Sequence, residues 1–109
     1  MPPPVPEIVT KPDVAQSRAA HRLVTDAADA DGVTPLSEQS VMVIDAPEDA
    51  GAVRHVIIGE VAYANIIAGR AGEPAMIEAV VSPAHRRNGF GRALLESAFA
   101  EAAAITDAA

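Results

Sequence analysis

Cysteine and tryptophan are both missing from this chain of 109 residues, and it has one tyrosine and two phenylalanines. Without cysteine there is no disulfide, no thiol nucleophile and no thiolate ligand for a metal. That suits a reducing compartment, and the expected location is the cytoplasm. With so few large aromatics, the core has to be assembled from Ala, Val and Ile. Positive charge is also scarce: 8 Lys and Arg stand against 15 Asp and Glu, a net charge of −7. This speaks against general binding of nucleic acid or of an anionic membrane surface. No apolar run reaches the roughly 18 residues of a membrane span, so none is expected. The N-terminus carries prolines where a signal peptide has a basic and then an apolar run, so export is not expected either. His21, His55 and His85 lack metal-ligand spacing and read as surface or helix residues, and no metal is expected.

What is present fits one small domain. Met1–Pro6 reads as a flexible, proline-rich lead-in, and residues 7–10 as a short first strand within a segment 1–12. Asp13 is an N-cap candidate for a helix over 13–30, with Val14, Ala20, Leu23, Val24 and Ala27 on one apolar face. Arg18, Arg22 and Asp26 fall on a wetter face, and Gly32 ends the helix. Ser37 looks like the N-cap of a second helix over 37–45, although Val41–Ile44 has the branching of a strand. Pro47–Gly51 reads as a polar turn. Strands are expected over 52–58 and 61–67, joined at Gly59–Glu60 by a type II′ turn, and over 75–81. The near-continuous apolarity of the third of these predicts burial on both faces. A last helix over 88–104 is expected to pack through Ala93, Leu94, Leu95, Ala98, Phe99 and Ile105, with an alanine-rich end that frays. The order strand, helix, helix, three strands, helix defines an α/β fold with a mixed, mostly antiparallel sheet.

Against the acidic background, three of the eight basic residues lie within seven positions, at Arg86, Arg87 and Arg92. They surround Asn88-Gly89-Phe90-Gly91, between an apolar strand and a helix former. The first N–H groups of a helix have no internal partner, and the helix dipole adds positive potential there. Glycines at 89 and 91 leave the backbone open to a close approach. Strand, basic glycine loop and helix together predict a phosphate-binding loop.

At Arg86-Arg-Asn-Gly-Phe-Gly91 the sequence resembles the GCN5-related N-acetyltransferase family, whose signature is Arg or Gln, two residues, Gly, one residue, then Gly or Ala. The resemblance implies that residues 86–92 bind the pyrophosphate of acetyl-CoA. It also implies that the strand end Ala79, Val80 and Val81 holds the pantetheine arm by backbone hydrogen bonds. A narrower resemblance joins Asp31–Gln39, Tyr63-Ala-Asn65 and Glu78–Pro83 to the first of two acetyltransferase domains in the mycothiol synthase family. It implies a cysteinyl-glucosaminyl-inositol amine as acceptor, Glu38 as an acceptor contact, and chemistry carried by a second domain, with backbone amides polarising the thioester carbonyl. Residues 13–109 would then be part of one acetyltransferase domain, inactive alone. The alternatives are a non-catalytic acetyl-CoA-binding or interaction module, and an acetyltransferase acting on a protein N-terminus or small amine. Glu78 is a weaker candidate for general base, and Tyr63 for a donor to the leaving thiolate.

Overall fold

The computed structural model describes residues 5–46, 52–69 and 72–107. The polar turn expected over 47–51, residues 1–4 of the lead-in, Arg70 and Ala71 of the 68–74 loop, and the last two residues lie outside these ranges. The elements in order are β1 (Glu7–Val9), α1 (Val14–Asp31), α2 (Glu38–Val43), β2 (Val53–Ile58), β3 (Ala62–Ile67), β4 (Met76–Val81), a 3-10 turn (Pro83–His85) and α3 (Phe90–Asp107). The four strands form one antiparallel sheet in the order β1-β2-β3-β4.

Local chemistry sets the helix boundaries. Asp13 accepts from the Gln16 amide at 2.8 Å, and the Gln16 side chain accepts from the Asp13 amide at 2.9 Å. This reciprocal box satisfies two amides that the first turn leaves without partners. Gly32, at φ +75°, closes α1 in the left-handed conformation that glycine adopts without a steric penalty. The ambiguous Val41–Ile44 stretch belongs to a helical turn, because Ser37 caps α2 and helical winding turns Ser40 and Ile44 into the interior.

Period-two alternation divides the sheet between two cores. Ile57, Tyr63 and Val80 face α1 and pack with Ala20, Leu23, Ala27, Leu36 and Ile44. Val56, Ile58, Ala62, Ala64 and Ile66 face the other way, onto Leu94, Ala98 and Ile105 of α3. Gly59, with φ +49°, opens the β2–β3 turn as a type II′ turn requires. The register pairs Ile58 with Ala62, however, so three residues rather than two stand outside the ladder.

Three expectations are corrected. Strand β4 is not buried on both faces: only Val80 is fully buried, because among the described residues β4 has a neighbour on one flank alone. Leu95 and Phe99 are 38% and 62% exposed, since the α3 surface against the sheet is centred on Leu94 and Ala98. His55 is a strand residue with 1% exposure, not a surface or helix residue.

Candidate functional site

The site grows from the exit of β4. Ser82 donates its amide to the Val61 carbonyl at 2.7 Å, which keeps the chain beside the sheet for one more residue. Backbone groups alternate in direction along a strand. With Ser82 and Val80 turned toward β3, the N–H and C=O groups of Ala79 and Val81 point to the open flank. Of the three residues expected at a strand-edge site, two therefore offer backbone there, and Val80 contributes packing.

Beyond the 3-10 turn the backbone reverses sharply. Arg87 has φ +68° and Gly89 has φ +82°. Two left-handed residues so close together turn the chain tightly just before α3. For Arg87 that conformation costs about 1 kcal/mol or somewhat more, because its Cβ crowds the backbone. Asn88 donates to the His85 carbonyl at 3.2 Å across the turn. His85 meets the Phe90 ring edge-on at 6.2 Å.

The first helical hydrogen bond of α3 runs from the Ala93 amide to the Gly89 carbonyl at 3.1 Å. The amides of Phe90, Gly91 and Arg92 precede it and have no partner within the helix. Gly89 has no side chain to cap them, and among the described residues no other side chain accepts from them. The two glycines differ in what requires them. A Cβ on Gly89 would meet nothing within 4 Å, so its backbone angle is the constraint. A Cβ on Gly91 would touch only Val81 Cγ2, at an ordinary 3.6 Å. The protein's own packing thus tolerates alanine at 91.

The three arginines do not act alike. Arg86 forms a bidentate ion pair with Asp31, at 2.8 and 2.7 Å, tying the loop to the end of α1. This hydrogen-bonded pairing holds the Asp31 carboxyl below its usual range. Arg92 pairs with Glu96 one turn along α3 at 2.9 Å, both well exposed. Arg87 has no ion pair or hydrogen bond among the described residues and is the cation most available at the loop.

Glu38 sits exposed in the first turn of α2, where a carboxylate complements the helix dipole. The neighbouring cap carries a bond that the sequence does not announce. Glu78 on β4 accepts from the Ser37 amide at 2.7 Å, the Ser37 hydroxyl at 2.6 Å and the Ser40 hydroxyl at 2.5 Å. Burial pushes the Glu78 carboxyl up, but these hydrogen bonds outweigh it and leave it below the usual carboxylate range. A carboxylate so satisfied is a poor proton acceptor. Glu78 fastens α2 to the candidate cofactor strand and brings Glu38 next to that contact.

Tyr63 is equally committed to structure. It is buried, its hydroxyl lies 2.7 Å from His55 Nδ1, and it accepts from the Asn65 amide nitrogen at 3.1 Å. Burial, with a smaller contribution from Lys11, pushes the His55 imidazole down to about 4, so it is neutral near pH 7. Ser17, His21 and Asp45 have the residue types of a hydrolytic triad but not its order. Asp45 takes Ser17 on one oxygen and His21 on the other, at 2.5 and 2.7 Å, so no imidazole stands between acid and hydroxyl. Among the described residues no group of three or more His, Asp or Glu is placed to hold a metal, and no helix is long and apolar enough to cross a membrane.

A strand with an open edge, a left-handed loop and an uncapped helix follow one another on an antiparallel meander flanked by helices, an α/β fold of the GCN5-related N-acetyltransferase type. The particular relatives are mycothiol acetyltransferases. The chain is 57% identical to the one from Gordonia bronchialis over 88% of its own length, corresponding to 30% of that protein. It is 44% identical to those from Nocardia farcinica and Tsukamurella paurometabola, over 75% and 84% of this chain and 27% and 29% of those proteins. The chain therefore spans about a third or less of the length of these curated relatives. No protein-family profile matches it.

Proposed function

We propose that this chain is the acetyl-CoA-binding part of an N-acetyltransferase of the mycothiol acetyltransferase type. The observation that carries the proposal is the start of α3: three amides without a partner among the described residues, beside Arg87, with open space at Gly89. A diphosphate supplies the acceptors those amides lack. The outward backbone of Ala79 and Val81 fits an extended amide-containing arm added as a strand. Arg92 adds charge at longer range, and Arg86 serves by fixing the loop through Asp31. Acetyl-CoA supplies the activated acyl group as its thioester. The reaction proposed for the whole enzyme is attack of a primary amine on the thioester carbon, with cleavage of the carbon–sulfur bond and loss of the amine proton. The resemblance of Asp31–Gln39 to the mycothiol synthase family supports the cysteinyl-glucosaminyl-inositol amine as the acceptor we propose, with Glu38 as its contact, and the lack of cysteine suits the cytoplasm as the proposed location.

A second reading, binding without turnover in this chain alone, is favoured by a specific observation. Glu78 and Tyr63, the two side chains weighed for proton transfer, are both held by internal hydrogen bonds. The residues that carry the chemistry then belong to a further acetyltransferase domain. Calorimetry with CoA and an acetylation assay over several amines separate these cases. Binding with no turnover supports the second reading, and turnover by the 109-residue chain contradicts it. Absence of CoA binding by the folded chain contradicts both.

A further inference from the structure

A cavity of about 420 Å³ opens between the first half of α1, the β2–β3 turn and the 3-10 turn after β4. Ala15, Ala19 and Val61 line it with small apolar side chains, and Arg18, Arg22, His85 and Glu60 carry its polar groups. Arg18 and Arg22 are four residues apart on α1, so they stand one above the other on the same helix face. Like charges at that spacing repel.

Of the other described arginines, three are neutralised and Arg87, in the loop before α3, is not. Arg54 pairs with Glu101 at 3.4 Å, Arg86 with Asp31 and Arg92 with Glu96. Arg18 and Arg22 have no ion pair among the described residues, although carboxylates outnumber cations in the chain by 15 to 8. Glu60 lines the same space without reaching either of them. Two guanidiniums against one carboxylate leave the walls with a surplus of positive charge. His85 adds a ring whose Nδ1 lies 3.1 Å from the Ser82 hydroxyl, which leaves Nε2 for a ligand.

We propose that this cavity is a second anion site, taking a phosphate group between the Arg18 and Arg22 forks and the His85 ring. Planar guanidiniums suit the oxygens of phosphate, which accept two parallel N–H bonds at once. The site is separate from the α3 amides and does not depend on the acetyl-CoA reading.

The test is an NMR titration of the 109-residue chain with inorganic phosphate, following the Arg side-chain Nε–H signals and the His85 ring. Saturable shifts at Arg18, Arg22 and His85 are expected. The R18Q/R22Q double variant, on an exposed helix face with glutamine as a good helix former, is expected to bind phosphate at least about tenfold more weakly. Gly91→Glu is expected to leave phosphate binding at this cavity unchanged. A parallel titration with glycerol 1-phosphate tells whether a free ion or an organic monoester is preferred, and preference for either at these three residues supports the site. No saturable shift there in the wild-type chain, shifts confined to residues 89–92, or undiminished phosphate binding by R18Q/R22Q overturns it.

Discussion

The two long helices each run eighteen residues, and they begin in opposite ways. Helix α1 starts from a completed box in which Asp13 and Gln16 answer each other's amides. Helix α3 starts from a glycine, with three amides left over and arginines on both sides. A cap at α1 contributes to stability and leaves nothing for a ligand. The bare start of α3 forgoes that contribution and keeps an electropositive backbone surface available. Helix α2 lies between these cases: its cap serine is completed by a carboxylate from β4, so the cap also fixes the position of the neighbouring strand.

The largest expected effect comes from making α3 resemble α1. Gly91→Glu sets a carboxylate in the first turn, where it complements the helix dipole and replaces a poor helix former. Thermal unfolding should show stability unchanged or higher by about 0.5–1 kcal/mol. Calorimetry should show CoA affinity lower by roughly a hundredfold, the equivalent of one or two lost charge-assisted bonds. A substitution that strengthens the fold while removing the ligand separates the two functions of a helix start.

Next is the shared cap of α2. Glu78→Gln should cost about 1–2 kcal/mol in denaturant unfolding, allowing for the partial exposure of the site. The sign of its pH dependence follows from linkage. The folded-state carboxyl is held below its ordinary value of 4.5, so its contribution is full above that pH and is lost as pH falls through the folded value. The wild-type advantage over Glu78→Gln should shrink correspondingly in acid.

Smaller again is Asp13→Ala, expected to cost about 1 kcal/mol of stability while leaving CoA affinity as it was. A loss of affinity in that variant would mean that the two helix starts are coupled. The smallest effect belongs to Gly91→Ala. The 3.6 Å contact with Val81 leaves room for a methyl group, so stability should rise by up to about 0.5 kcal/mol while CoA affinity drops several-fold.

The same contrast explains what was legible in the sequence. Asp13, Gly32 and Ser37 mark helix ends because caps are local: the residue and the amide it serves are three or four positions apart. The loop at 86–91 was legible for the same reason. Bonds that close over long separations left no such trace. Arg86 and Asp31 are 55 positions apart and Glu78 and Ser37 are 41, and nothing near either member of a pair points to the other. His55 gave no sign of its burial because its partner Tyr63 sits on the adjoining strand. The apolar run of β4 was readable as a strand, but apolarity does not reveal whether a neighbour lies on each flank. Periodicity in α3 placed Leu94 and Ala98 correctly and took in Leu95 and Phe99, one step around the helix, without fixing where the sheet contact ends.

The most direct test follows backbone amides of both helix starts in one CoA titration by NMR. The account predicts large saturable shifts at Gly89, Phe90, Gly91 and Arg92, with the amides of Asp13 and Gln16 unmoved. Saturable CoA binding that shifts the α1 amides, or that leaves all four of the α3 group where they were, would contradict it.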